Sequence, residues 1–295
     1  MSTQTSYTPD IELMMKRLFA TLSEKDRRRY AAIEAAKLGS SGMNWHGIAA
    51  IYRFEMARAQ RTLWQSLVAP VITTALYFVV FGSALGGRMT AMDGVGFGSF
   101  IVPGLTLLSV FMQSIFNASF GIYFPKFSGT IYELLSAPIS SLETVLAYVG
   151  AAATKSLVLA LVTLATATIF VPVHVDHPVA MLAFLVAICT AFCLLGFLIG
   201  IWAQSFEQLQ IVPMLIITPL TFLGGAFYSV TTLAEPWRTV TLFNPVVYLI
   251  SGFRWTFYSH TDVPVWSSIA MLAAIIGFSL IATSWIFRTG FRLKK

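Results

Sequence analysis

Six long apolar stretches limit what this chain can fold into. Each holds the roughly 20 mostly apolar residues that an α-helix needs to cross a hydrocarbon core of about 30 Å. Of the 295 residues, 57% are hydrophobic and 11% are charged, whereas about 25% are charged in ordinary soluble domains. The sequence therefore predicts an all-α polytopic membrane protein with six transmembrane helices. The predicted spans are Leu63–Leu85, Ser99–Ile122, Val145–Val173, Pro178–Ala203, Leu209–Val230 and Pro264–Phe287.

The positions of lysine and arginine predict the orientation of the chain. Ten of the nineteen precede the first span, four follow the last and Lys126 lies in the second loop, while Arg88, Arg238 and Arg254 fall in the alternate loops. Because cytoplasmic loops carry an excess of basic residues, we expect both termini and the Lys126 loop to be cytoplasmic. The expected location is the plasma membrane, which is the inner membrane of a bacterium. The net charge of +6 would anchor the chain to anionic lipid, and no alternation of aromatic and basic residues indicates nucleic acid.

Two segments precede the first span. Residues 1–42 are polar, with a basic cluster, and this composition predicts a cytoplasmic extension that rests on the inner leaflet. Residues 43–62 have the pattern of an amphipathic helix, because an apolar line runs from Trp45 through Tyr52 to Leu63. Such a helix is expected to lie in the membrane interface.

The opposite side of this interface helix carries two arginines together with an aromatic residue, Phe54. This combination leaves two interpretations open: another protein covers that side, or the amphipathic pattern is merely imperfect. The residues of the interface helix that we expect to matter are Trp45, Tyr52, Arg53, Phe54, Arg58 and Arg61.

The polar segment between the second and third spans has the pattern of a compact helix. It runs from Phe124 to Ser140 and reads FPKFSGTIYELLSAPIS. Thr130 and Glu133 have the spacing of a capping box, and the apolar residues between Thr130 and Pro138 fall on one side of about two helical turns. We expect this segment to contact a soluble partner through Gly129, Thr130, Ile131, Glu133, Leu134, Leu135 and Pro138.

Four segments of the chain resemble the membrane subunit of ABC-2 type export transporters, the group of drug, polysaccharide and lipo-oligosaccharide exporters. They are the GTIYELLSAPIS sequence just described, Phe100–Phe111, Ile217–Val230 and Phe243–Phe257, and the likeness extends over Trp45–Arg288. The resemblance implies a separate cytoplasmic ATPase that docks on the polar segment and the interface helix. It also implies a homodimer, or a pair with a close relative.

The loop after the fifth span predicts a re-entrant structure. It contains Pro236, Asn244 and an apolar run, Val246–Phe257, that is too short to cross the membrane. Non-helical backbone at membrane depth is tolerated only where protein or a water-filled cavity covers it. The resemblance implies that these residues form outer-leaflet half-helices near the exit of a transport pathway.

A few polar residues are candidates for that pathway. Lys155 lies well inside an apolar span, so it has either a pathway or packing role, or is an ordinary side chain that partly snorkels. Arg254 is either an outer-surface anchor or a pathway residue, with Glu235 or Asp262 as its partner. The pathway candidates are Lys155, Tyr228, Asn244 and Arg254.

No catalytic, cofactor or metal site is predicted in this chain. The dipeptide Gly-Lys does not occur, so a Walker phosphate-binding loop is excluded, and ATP and magnesium are expected on the partner ATPase. An ion-coupled secondary carrier would need several acidic or histidine residues at mid-membrane, and a membrane-embedded transferase would need a polar cluster on one leaflet. Both remain alternatives, although the sequence has neither pattern.

The predicted organisation follows from these observations. Residues 1–42 form the polar extension, 43–62 the interface helix, 63–288 the ABC-2 type transmembrane domain and 289–295 a basic cytoplasmic tail. The predicted function is that of a permease subunit of an ATP-binding-cassette exporter, which moves an amphipathic or saccharide-type substrate outward.

Overall fold

The computed structural model describes residues 43–80, 94–131 and 139–289. Their secondary structure is helical, as the sequence predicts. The α-helices are α1 (Trp45–Arg61), α2 (Leu63–Tyr77), α3 (Phe97–Phe100), α4 (Val102–Ser128), α5 (Ser141–Phe170), α6 (Pro178–Trp202), α7 (Phe206–Val212), α8 (Thr218–Leu223), α9 (Trp237–Leu242), α10 (Pro245–Tyr258) and α11 (Val265–Thr289); Pro213–Ile217 is π-helical and Val230–Thr232 is a 3₁₀ turn.

The described helices account for five or six membrane spans. Five stretches are long and apolar enough to cross: α3 with α4, α5, α6, the run from α7 to α8, and α11. The pair α1 and α2 qualifies as a sixth if it is counted together, although a bend of 59° separates its two parts. The last residues of the first predicted span, 81–85, lie outside the described residues.

Helix α4 is the centre of the bundle. In the most apolar stretch of the span that contains α4, 72% of the residues are buried. The corresponding fraction for α11 is 17%, so α11 lies at the periphery. At Gly196 and Gly200, α6 lies directly against the backbone of α4. A Cβ added to Gly196 would lie 2.5 Å from the Ile115 carbonyl oxygen, and one added to Gly200 would lie 2.4 Å from the Ser119 carbonyl oxygen. Small residues four apart allow this approach between helices in a membrane.

The bundle has two distinct ends. At the one we call the loop end, α4 ends and α5 begins, and Phe287 near the end of α11 stacks on Phe197. The start of α1 also lies there, because the Asn44 amide donates to Glu143. The described chain therefore begins and ends at the loop end.

The other end, which we call the half-helix end, contains α3, α9 and α10. Helix α10 has 14 residues, about 21 Å, which is shorter than a hydrocarbon core. It is nevertheless buried against α4, α6 and α11, and the Tyr258 hydroxyl donates to the Ser99 carbonyl oxygen at 2.6 Å. This geometry agrees with a re-entrant half-helix, while its depth in a membrane remains a prediction.

The second span is longer than predicted. Helix α4 continues through Pro125 and Lys126, so the first residues of the polar segment belong to the span. Lys126 was assigned to a loop, but it is buried, and its ammonium donates to the carbonyl oxygens of Ile201 at 2.6 Å and Ala203 at 3.0 Å. A cation at the end of α6 stabilises the carbonyl groups left without partners there.

Two further predicted boundaries were wrong. The third span begins at Ser141 and not at Val145, because a capping box starts the helix. The fifth span ends at Leu223 and not at Val230, since Gly225 adopts a φ of +80° and turns the chain away.

Candidate functional site

The loop end contains the start of the predicted coupling segment. Gly129 ends α4 in the left-handed conformation, with a φ of +80°. The Thr130 hydroxyl lies 3.0 Å from the Ser128 hydroxyl, and Ile131 is buried beside Ile122. Tyr132 to Pro138 lie outside the described residues, and with them the predicted capping box partner Glu133 and the residues Leu134, Leu135 and Pro138.

A capping box exists ten residues later. The Ser140 hydroxyl accepts a hydrogen bond from the Glu143 amide at 3.3 Å, and Glu143 Oε2 accepts one from the Ser140 amide at 2.7 Å. The second carboxylate oxygen of Glu143 accepts a hydrogen bond from the Asn44 backbone amide at 2.5 Å. This bond joins the start of α1 to the start of α5. Sequence reasoning missed Glu143, although Ser140 and Glu143 have the same spacing that was assigned to Thr130 and Glu133.

Helix α1 packs chiefly along the first half of α5. The Tyr52 hydroxyl donates to the Thr154 hydroxyl at 3.0 Å, so this residue lies on the buried side as its apolar pattern predicts. Trp45 and Phe54 are each 67% exposed. Arg53 and Arg61 are exposed as well.

The buried side of α1 is more polar than the sequence suggests. Arg58 was expected on the outer side, but it pairs with Glu55 at 2.5 Å, and its guanidinium lies 5.4 Å from the centre of the Phe120 ring on α4. Glu55 is 7% exposed, so the helix buries a carboxylate that the apolar line did not include. Trp45, at the start of that line, faces outward instead.

Glu55 and Arg58 line a cavity of about 280 Å³ together with Lys155. Lys155 is near the middle of the 30-residue helix α5, about 21 Å from its start. Asn117 adds an amide, which donates to the Ser156 hydroxyl at 3.2 Å. We call this space the charged cavity; its other lining residues are Ala59, Thr62, Ser66, Phe116, Phe120, Gly121, Tyr148, Ala151 and Ala152.

Two further cavities adjoin the charged cavity along α4. The central cavity, of about 560 Å³, shares Ser66 and Phe116 with it and is walled on the far side by the π-helical stretch. The half-helix cavity, of about 270 Å³, shares Met112, Gln113 and Thr218 with the central cavity. Their lining residues on α4 recur every three or four positions, which places them on one face of the helix.

We call these three cavities together the α4 groove. On α4 it extends from Gly121 to Leu105, a length of about 24 Å. Its lining mixes amides and hydroxyls with methionine and aromatic side chains, as the central cavity illustrates with Gln113, Gln210 and Met214. A lining of this kind can accommodate a molecule that is polar in one part and apolar in another.

The remaining pathway candidates lie at the half-helix end, and each holds a local contact. Asn244 caps α10, because its side-chain oxygen accepts a hydrogen bond from the Val246 backbone amide at 3.0 Å. Its side-chain nitrogen donates to the Leu220 carbonyl oxygen at 2.6 Å. The Tyr228 hydroxyl donates to the Leu223 carbonyl oxygen at 2.9 Å.

Arg254 is buried and pairs with Asp262 at 3.0 Å, which selects one of its two expected partners. Its guanidinium also donates to the Gly225 carbonyl oxygen at 2.5 Å and lies 4.1 Å from the centre of the Phe100 ring. The Ser229 hydroxyl donates to the other oxygen of Asp262. Arg254 thus holds α10, α3 and the loop after α8 together.

A family model described as ABC-2 type transporter matches residues 46–258. The chain belongs to the ABC-2 type transporter family. The inner membrane transport permease YadH of Escherichia coli K12 is 38% identical over 245 residues, which is 83% of this chain and 96% of that protein. Nodulation protein J of Rhizobium meliloti is 26% identical over 225 residues, or 74% of this chain and 83% of that protein.

These similarities confirm the resemblance that the four sequence segments indicated. The chain is a multi-pass membrane protein and the permease of an ABC transporter.

Proposed function

We propose that this ABC-2 permease is an exporter subunit in which the α4 groove carries an amphipathic or saccharide-type substrate outward. The observation that supports this function best is that the three cavities adjoin one another along α4, with shared lining residues, from the charged cavity to the half-helix end. A length of about 24 Å is close to the thickness of a hydrocarbon core. The π-helical wall agrees with such a role, since π-helical turns are frequent at functional sites.

The energy for transport comes from a separate cytoplasmic ATPase, which binds ATP and magnesium. The ATPase docks on residues 129–138 and on α1. In the first of these segments, Glu133 meets a basic groove on the ATPase. Two contacts support a mechanical connection from there to the groove: Glu143 joins the starts of α1 and α5, and Glu55 and Arg58 carry α1 into the charged cavity. To shift the ratio of the membrane subunit's two conformations from 1:99 to 99:1, the ATPase must bind the favoured conformation about 5.5 kcal/mol more tightly than the other.

The chain works in the plasma membrane with both termini in the cytoplasm, as a homodimer. The basic residues before the first span support this orientation, and so does the location of both described ends at the loop end. Helix α1 lies in the inner interface, where the exposed Trp45 reaches the lipid headgroups.

An ion-coupled secondary carrier is the second candidate, and one observation favours it. Glu55 is a buried carboxylate that lines the charged cavity together with Lys155, and ionisable groups within a membrane domain often belong to proton or ion pathways.

Reconstitution into proteoliposomes with the partner ATPase distinguishes the two candidates. For the exporter we expect transport that requires ATP hydrolysis and continues after proton and sodium gradients are collapsed. In the same vesicles Glu133→Gln should uncouple ATP hydrolysis from substrate, because it removes the charge but keeps a hydrogen-bonding side chain.

Glu207→Gln is the matched control, since it removes an exposed carboxylate from α7, which also begins at the loop end. Transport by the chain alone, driven by an ion gradient, would contradict the proposal and support the carrier. Wild-type coupling in Glu133→Gln would assign the ATPase contact to Leu134 and Leu135 instead.

A further inference from the structure

The charges of the α4 groove point to the class of substrate. We infer that the groove accepts an amphipathic anion, with its acidic group at Lys155 in the charged cavity and its apolar chain in the central cavity. This inference rests on the proposed function, because it specifies what the same groove carries.

The charged cavity has one cation in excess. Its lining contains two basic residues, Arg58 and Lys155, and one acidic residue, Glu55. Arg58 is already paired with Glu55 at 2.5 Å and lies over the Phe120 ring. Within the described part of the chain, no protein acceptor is hydrogen-bonded to the Lys155 ammonium. Glu55 attracts Lys155 as well as Arg58, but one carboxylate balances only one of the two cations. The remaining positive charge is what a ligand would neutralise, at Lys155.

A half-buried ammonium in a membrane domain costs free energy unless an anion compensates it. One acidic group on a ligand supplies that compensation, and a neutral saccharide does not. The charged cavity also presents an acceptor, since Glu55 Oε1 is buried without a hydrogen-bond partner among the described residues. A phosphate monoester in its singly ionised form fits both features, because it has a negative oxygen for Lys155 and a hydroxyl for Glu55.

The adjoining central cavity fits an alkyl chain. It meets the charged cavity at Phe116 and is walled by Met112, Pro213 and Met214. Methionine side chains are unbranched and adaptable, so they accept apolar groups of varied shape. The order of charged and apolar cavities along α4 predicts the orientation of the bound molecule, with its head at Lys155 and its tail toward the half-helix end.

Photolabelling of the purified full chain in phosphatidylcholine nanodiscs tests the inference. The probe is hexadecyl phosphate with a diazirine in the alkyl chain, and its neutral counterpart is a hexadecyl glucoside with the same diazirine. We expect the phosphate to label α4 near Met112. In Lys155→Met the concentration for half-maximal labelling should rise by about tenfold or more, as for the loss of a charge-assisted hydrogen bond, while the glucoside is unaffected.

Two variants act as controls for charge. Arg288→Gln removes an exposed cation from the end of α11, outside the groove, so labelling by the phosphate should stay at the wild-type level. Lys155→Arg keeps the charge and should label almost as the wild type does. Equal losses in Lys155→Met and Arg288→Gln, or equal labelling by both probes in the wild type, would overturn the inference.

A third variant separates this inference from the proposed function. Gln113→Trp narrows the central cavity and should reduce labelling by both probes. If Gln113→Trp reduces labelling while Lys155→Met changes labelling by neither probe, the ligand need not be an anion, but it still binds in the α4 groove. If Gln113→Trp leaves both probes unaffected, the groove itself is wrong, and the proposed function fails with it.

Native mass spectrometry identifies the source of the anion. Phosphatidylglycerol that stays bound to the wild-type chain and is absent from Lys155→Met would identify a membrane lipid. A chain that retains no lipid but is labelled by hexadecyl phosphate would identify a transported single-chain amphiphile. Both results support an acidic amphiphile at Lys155.

Discussion

Buried charged residues connect distant parts of this permease. Arg254 joins α10 to the Asp262 turn and to the Gly225 carbonyl group, and Glu143 joins the starts of α1 and α5. Removing one partner of a buried ion pair is costly because the other charge stays buried without compensation. The two ends of the bundle therefore depend on a small number of carboxylates.

Asp262→Ala should destabilise the half-helix end by about 3–5 kcal/mol, the usual cost of breaking a buried ion pair from one side. The midpoint of thermal unfolding of the detergent-purified chain measures the effect. Glu235→Ala is the control, because this carboxylate precedes α9 at the same end of the bundle but is exposed and accepts a hydrogen bond from the Thr239 hydroxyl. If the two variants unfold at the same temperature, Arg254 does not hold the half-helices.

The sequence predicted that Arg254 had a carboxylate partner but not which one. Glu235 and Asp262 lie in the same connection, and hydropathy treats them alike. The choice depends on Ser259, whose left-handed φ of 55° ends α10 and returns the chain so that Asp262 reaches Arg254. Such a turn is a tertiary feature, and it explains why the sequence left both partners open.

The spans are the elements that hydropathy predicts well, but their packing depends on small residues. Helix α6 contacts α4 through Gly196 and Gly200, where backbone atoms of α4 occupy the space of a side chain. This spacing is visible in the sequence, although nothing in it identifies α4 as the helix opposite. Polar contacts were harder still: the apolar line of α1 did not predict that Glu55 would be buried by pairing with Arg58.

Gly200→Leu should prevent α6 from packing on α4, since the first added carbon already lies 2.4 Å from the Ser119 carbonyl oxygen. We expect a strong loss of monodisperse protein in size-exclusion chromatography after detergent extraction. Gly277→Leu on α11 is the matched control, because its Cβ would meet no atom within 4 Å. Similar yields of both variants would show that the contact between α4 and α6 does not limit folding.

At the scale of the whole molecule, one helix connects the parts that transport requires. Helix α4 ends beside the residues proposed to receive the ATPase, begins beside the half-helices, and carries the groove on one face. The family and the helical bundle could be predicted from sequence, because both depend on local patterns. The groove could not, because its lining comes from helices distant in sequence, including α2, α4, α5 and the π-helical stretch.

The central claim is that substrate passes along this groove, and blocking it with a removable group tests that claim most directly. Gln113→Cys places a thiol in the lining of the central and half-helix cavities, and the native Cys189 and Cys193 are buried. A bulky methanethiosulfonate on position 113 should stop ATP-driven transport in proteoliposomes, and reduction should restore it. The same modification of Ile281→Cys, at an exposed position on α11, should have no effect. Unchanged transport after modification at position 113, or equal inhibition at both positions, would contradict the account.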